Sequence, residues 1–285
     1  MKNIFRKKTL FAILSYCFGI SCFVYIALKV DFQRLDFFSV NWIYVALSIL
    51  PLIFFIIFQG VRFNSLLVSP LKFMELLFLQ FKMQFFNLVF PGGIGGDAYR
   101  VFVLKHAEKS LTSVTNKSVL DRSSGLLFNT IMFVWGLPSV LTKIEMKDGM
   151  LTASWSVVAV CLVFIVIALS RYWRGLELLK KGVSLLFFSF LCWAMQVCRL
   201  WLLCRAIGLD FSVQELSFIF GILQLAGLLP ITVGGLGVIE GVFVFATGLL
   251  GVASPLAALG AVLMRVTTIV SGFFGFLIWL RGRAV

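Results

Sequence analysis

Six ionisable side chains lie inside, or at the edge of, long apolar runs: Asp97, Arg100, Asp121, Arg122, Glu240 and Arg265. A charge in hydrocarbon costs at least about 2.5 kcal/mol on membrane-insertion scales, so such groups pair, line a watery cavity or serve a ligand. Acids and bases so placed could grip an anionic headgroup, orient one another or carry protons. Two of the acids follow glycine-rich interruptions. Residues 87–100 read Asn-Leu-Val-Phe-Pro-Gly-Gly-Ile-Gly-Gly-Asp-Ala-Tyr-Arg, and residues 230–241 read Pro-Ile-Thr-Val-Gly-Gly-Leu-Gly-Val-Ile-Glu-Gly.

Proline removes a backbone donor and glycine weakens a helix, so each stretch should end one helix and allow another to begin. Within a bilayer the freed amides and carbonyls must be met by protein or cavity water, because lipid offers no partners. Two Gly/Pro-interrupted apolar segments in corresponding halves point to a transporter-type site at a repeat interface. The candidate binding residues are therefore Asn87, Gly92, Gly93, Gly95, Gly96, Asp97, Arg100, Asp121 and Arg122 in the first half. Gly234, Gly235, Gly237, Glu240 and Arg265 complete them in the second. Glycines spaced G-x-x-x-G, as at Gly92/Gly96 and Gly237/Gly241, also let helices approach closely. Packing alone does not call for an acid in each copy.

Arg265 has no acid on its own apolar segment, and Glu240 is its expected partner; the pair either fixes helix packing or holds substrate. Helix N-termini after the breaks can meet a headgroup phosphate through free amides, with Arg100 or Arg265 adding charge. Arg199, three residues after Gln196, must face the protein interior or snorkel to an interface, and because it falls near the outer end of its segment snorkelling is the expectation. Other chemistry finds little support. Gly93 to Ala98 matches G-x-G-x-x-A, but a dinucleotide site needs a strand and a soluble sheet around it. No Walker-type G-x-x-x-x-G-K occurs, and the single histidine, His106, lies in a basic loop. The six cysteines lie in apolar runs without metal-ligand spacing, so neither disulfide, metal nor any other cofactor is inferred.

The elements that must position these groups follow from composition. With 61% hydrophobic residues, 13% charged residues and a mean hydropathy of +1.05 over 285 residues, the chain is an all-α integral membrane protein. Full spans are expected at 10–28, 42–60, 123–141, 154–170, 183–204 and 255–280. Between them, two re-entrant hairpins at about 73–104 and 216–250 enter from opposite faces as an inverted repeat, all within one polytopic domain over 1–285. Gln80, Gln84 and Asn87, and then Ser217, Gly221 and Gln224, are spaced i, i+4, i+7 and give each hairpin a polar face. An amphipathic helix lying on the membrane surface is the alternative for the first hairpin. Eighteen Lys/Arg residues fall on one side of this arrangement and five on the other, which puts both termini in the cytoplasm. The formal charge of +13 then reads as affinity for anionic headgroups rather than nucleic acid.

The two breaks, with the Asp121-Arg122 pair and the late Arg265, resemble the transmembrane region family of lysylphosphatidylglycerol synthase, also called the flippase-like domain family. The resemblance runs over nearly the whole chain, with Asp121 where the family pattern has a glutamate. It implies a translocase of the cytoplasmic (inner) membrane for a lipid or lipid-linked precursor: a phospholipid, or a polyprenyl- or hopanoid-type lipid. The chain stops at Val285, after the last span, so the aminoacyl-transferring domain of the full synthase is expected to be absent and the protein not to be an enzyme. The alternatives are a lipid-modifying transferase using Asp97 or Glu240 as general base, and an accessory subunit of a separately encoded transferase. A second copy of the chain is a further candidate companion.

Overall fold

The computed structural model describes residues 39–105, 110–144, 176–229 and 232–282. Their elements are α1 (Trp42–Leu47), α2 (Ile49–Asn64), α3 (Phe73–Val89), α4 (Gly95–Leu104), α5 (Leu111–Lys143), α6 (Leu176–Ala206), α7 (Val213–Gly227), α8 (Val238–Leu249) and α9 (Ser254–Leu280). The chain is an all-α membrane protein. Among the described residues, four segments are long and apolar enough to cross a bilayer, namely 42–64, 111–143, 182–206 and 254–280. They coincide with the spans expected at 42–60, 123–141, 183–204 and 255–280. The spans expected at 10–28 and 154–170 lie outside the described residues, as do His106 and Pro230. Phe54, Phe187, Phe245 and Phe273 present about half of their surface outward, which suits helices solvated by lipid.

Helix α5 starts twelve residues before the expected 123. Its polar first part, which includes Thr112, Asn116 and Asp121, reads as loop by composition. It is nevertheless helical, because tertiary partners meet its side chains. Val114 is fully buried against Phe63, Leu79 and Met83, and the Asp121 carboxylate receives two guanidinium groups.

Both glycine-rich stretches break helices where expected. In each, a Gly-Gly pair carries positive φ, Gly92 and Gly93 at 68° and 59°, Gly234 and Gly235 at 57° and 69°, a left-handed conformation that residues with a Cβ rarely adopt. After the first break α4 folds back along the end of α3, with the Tyr99 ring stacked 4.4 Å from that of Phe86. The approach is so close that a Cβ on Gly96 would fall 2.7 Å from the Met83 carbonyl oxygen. Helix α4 starts at Gly95, three residues ahead of the expected 98. In the second half, Ser212 and Glu215 form a capping box that opens α7, and Glu240 caps α8 by accepting from the Gly237 amide at 2.7 Å.

The two breaks touch. Pro91 and Val233 form an antiparallel bridge, and the Gly234 amide donates to the Phe90 carbonyl at 3.2 Å. Small residues bring the remaining helices into register: Gly272 and Gly275 of α9 lie against Leu88 and the Phe81 carbonyl of α3, while Gly136 of α5 meets the Gln214 carbonyl of α7.

Candidate functional site

Two ion networks flank the joined breaks. In the first, Asp97 and Asp121 meet three arginines. Asp121 accepts from Arg62 Nε at 2.8 Å and from Arg100 Nη1 at 3.2 Å; Asp97 accepts from Arg100 Nη2 at 2.6 Å and from Arg122 Nη1 at 2.9 Å. Arg122 also donates to the Gly92 carbonyl at 3.3 Å, and Arg62 to the Ser189 hydroxyl at 3.0 Å. Asp97 sits in the first turn of α4, where the helix dipole favours an anion, and the Asn87 side chain accepts from the Gly96 amide at 2.7 Å, capping the same helix end. Three cations against two anions leave one positive charge over.

The second network repeats the design. Glu240, in the first turn of α8, pairs with Arg265 Nε, as the charge cost predicts. Arg265 Nη1 donates to the Gly234 carbonyl at 2.9 Å, so in each half an arginine ties a carboxylate at a helix start to a carbonyl of the preceding Gly-Gly pair. Arg199 does not snorkel. It is 7% exposed and donates through Nη2 to the Met264 carbonyl at 2.9 Å and to the Thr267 and Thr268 hydroxyls at 2.7 Å each. The reason is local: the hydroxyls and carbonyl of α9 offer it acceptors inside the protein. Proximity to the end of its own segment says nothing about those.

A cavity of about 310 Å³ lies between the networks, lined by Arg62, Asp97, Asp121 and Arg122, by Gln84, Asn87, Gln196 and Gln224, and by Gly93, Gly234 and Gly235. Arg100 is 1% exposed, stacks its guanidinium 3.8 Å from the Phe63 ring centroid, and stands behind that wall, holding the two aspartates in position. Gly95 and Gly96 are buried against α3, while Gly237 serves the Glu240 cap. Of the two polar faces, Gln84, Asn87 and Gln224 reach the cavity. Gln80 and Ser217 do not: Gln80 is buried against Gly60 of α2, and Ser217 bonds back to the Val213 carbonyl. Sequence reasoning missed Arg62 as a site residue, because it follows the apolar run and reads as a boundary charge; α2 carries on past it to Asn64.

Comparison with known proteins gives two findings. The family described as "Lysylphosphatidylglycerol synthase TM region" matches residues 12–275. A "UPF0104 membrane protein" from Methanothermobacter thermautotrophicus (strain Delta H) is 28% identical over 102 residues, which cover 34% of this chain and 30% of the relative. The match thus spans less than a third of that relative's length.

Proposed function

Because this chain belongs to the lysylphosphatidylglycerol synthase transmembrane region family, we propose that it moves a membrane lipid or lipid-linked precursor between leaflets, taking the anionic headgroup into the cavity between the joined breaks. The family places the chain in envelope lipid metabolism or transport; translocation is our reading. The observation that carries it is the cavity itself. A polar chamber, with Arg62 and Arg122 on its wall and a network behind it that holds one cation more than its acids, sits where two interrupted helices meet inside an otherwise apolar bundle. Arg122, half-buried and facing the chamber, is the group we assign to the headgroup phosphate, and Arg62 extends that surface. The acyl or prenyl chains stay in the bilayer, so the protein lowers only the barrier for the polar end.

The same reading takes α3–α4 and α7–α8 as re-entrant hairpins entering from opposite faces of the cytoplasmic membrane, with both termini cytoplasmic. Helix lengths support it. At 17, 10, 15 and 12 residues the four half-helices span about 26, 15, 22 and 18 Å, all short of a hydrocarbon core about 30 Å thick. Their tips would then meet at mid-depth. The test is leaflet exchange of fluorescent phospholipids, aminoacylated lipids and polyprenyl phosphates in proteoliposomes containing the purified protein. Exchange of one of them, lost in Arg122→Ala with the melting temperature kept, is the expected result. A panel that shows no exchange removes the translocase reading and moves the case to an accessory subunit or a lipid-modifying transferase.

A further inference from the structure

Six side-chain amides line the chamber. Two of them already meet the protein: Asn87 Oδ1 accepts from the Gly96 amide at 2.7 Å, and Gln196 Oε1 lies 3.4 Å from Arg199 Nη1. The other four, Gln59 of α2, Gln84 of α3, Asn129 of α5 and Gln224 of α7, hydrogen-bond to none of the described residues. They come from four helices and converge on one space. Trp193 of α6 adds a fifth group: it lines the chamber, is 8% exposed, and its Nε1 is buried with no acceptor. The rings of Phe128 and Phe190, 6.2 and 5.7 Å away, hold the indole in place. Each amide offers two N–H donors and a carbonyl acceptor, and the indole a further donor. Such a wall is complementary to groups that donate and accept at once, as hydroxyls do.

The acids complete the argument. Asp97 and Asp121 are the carboxylates on the chamber wall, and each of their four oxygens already takes a guanidinium N–H, Asp97 from Arg100 and Arg122, Asp121 from Arg62 and Arg100. An incoming ammonium therefore finds no unengaged carboxylate, and it meets a network with one cation more than its acids.

We propose that the chamber selects a lipid whose headgroup carries uncharged hydroxyls beyond the phosphate, a polyol or a sugar, and discriminates against headgroups that carry an ammonium. The selecting residues are Gln59, Gln84, Asn129, Gln224 and Trp193. The selection rests on the chamber's taking an anionic headgroup, as proposed above, and is testable without transport. With the phosphate on Arg122, the hydroxyls pair with the amides and the indole N–H. A site built to hydrogen-bond hydroxyls rejects an analogue that lacks them, because its own polar groups are then left unpaired.

The experiment is equilibrium binding of short-chain lipids with identical dihexanoyl tails to the purified protein in a neutral detergent at fixed ionic strength. The headgroups are phosphate alone (phosphatidic acid), phosphoglycerol, phosphoinositol, phosphoethanolamine and lysyl-phosphoglycerol. Wild type should bind the phosphoglycerol or phosphoinositol lipid at least about tenfold more tightly than phosphatidic acid or either ammonium-bearing lipid. Gln84→Met, Gln224→Met and Trp193→Phe keep most of the side-chain bulk and remove the hydrogen-bonding groups. Each should weaken the preferred lipid about fivefold or more and leave phosphatidic acid unchanged. Gln80→Met, one turn away on α3 and outside the chamber, should change neither. The wild-type ranking decides by itself if the variants fail to fold. An ammonium-bearing headgroup bound as tightly as the polyols, a polyol bound no more tightly than phosphatidic acid, or variants that weaken both alike overturns the selection, as does a panel with no binding. Inositol 1-phosphate binding as tightly as its lipid upholds the amide wall and names a soluble polyol phosphate as its ligand. Polyol selection without leaflet exchange keeps the chamber's preference and refutes translocation; exchange of lysyl-phosphoglycerol in preference to the polyols does the reverse.

Discussion

Neutralising one member of the Glu240–Arg265 pair should damage the protein more than neutralising both. Glu240 is 1% exposed and Arg265 8%, so neither charge can turn to water. Glu240→Gln leaves Arg265 with only the Gly234 carbonyl, and Arg265→Met leaves Glu240 with only the Gly237 amide. Each single change strands a buried charge, at a cost of about 3 to 5 kcal/mol, a large fraction of the roughly 5 to 15 kcal/mol by which native proteins are stable. In the double variant no charge remains, and Gln can still accept from the Gly237 amide. What is lost is the pair itself and the bond to the Gly234 carbonyl, for which about 1 to 2 kcal/mol is expected. The assay is melting of the detergent-purified protein, with the amount of folded protein recovered from membranes as a second readout. A double variant as unstable as the sum of the two singles would show that the charges are not each other's partners.

Three further outcomes follow from packing and topology. Gly275→Ala should cost about 1 to 3 kcal/mol, because its Cβ lands on the Phe81 carbonyl, whereas Gly248→Ala, with nothing within 4 Å, should be neutral or stabilise by up to about 1 kcal/mol; melting curves of the two separate these effects. Asn87→Ala removes the side-chain cap on α4 and should cost about 1 kcal/mol, read in the same way, with no loss if the Gly96 amide finds another acceptor. In a background free of native cysteines, Lys143→Cys should react with an impermeant thiol reagent in intact cells while Lys105→Cys stays protected. Labelling of the latter from outside removes the re-entrant reading of α3–α4.

The sequence exposed the breaks, the acids beside them and the Glu240–Arg265 pair, because each violates a local rule: glycine and proline in an apolar run, and a charge in hydrocarbon. Those signals are short-range and survive without coordinates. Arg62 broke no rule that could be read locally, and Arg199, though a charge within an apolar run, lay close enough to its end for snorkelling to account for it. Each lay near the end of an apolar run, where positive charge is ordinary, and their roles depend on acceptors 59 and 65 or more residues away, Asp121 for one and the oxygens of α9 for the other. The polar start of α5 was hidden for the same reason, since its helicity rests on partners from α2, α3 and α4. Periodicity put Gln80 and Ser217 on the correct helix faces, but a face covers about a third of a helix, and the cavity takes up only part of it.

The joint between the two breaks is made of main chain: a bridge at Pro91 and Val233 and a bond from the Gly234 amide to the Phe90 carbonyl. A contact written in backbone atoms is indifferent to most of the side chains that carry it. Phe90 is 47% exposed and can change without touching the joint, whereas a Cβ on Gly234 would fall 2.6 Å from the Leu88 carbonyl oxygen. Mutational tolerance at the heart of the protein should therefore be uneven over very short distances, with a fixed glycine next to freely variable apolar neighbours. Descendants of such a chain can retune the surface they show to different lipids, residue by residue, while the hinge pin that holds the two halves together is inherited unaltered.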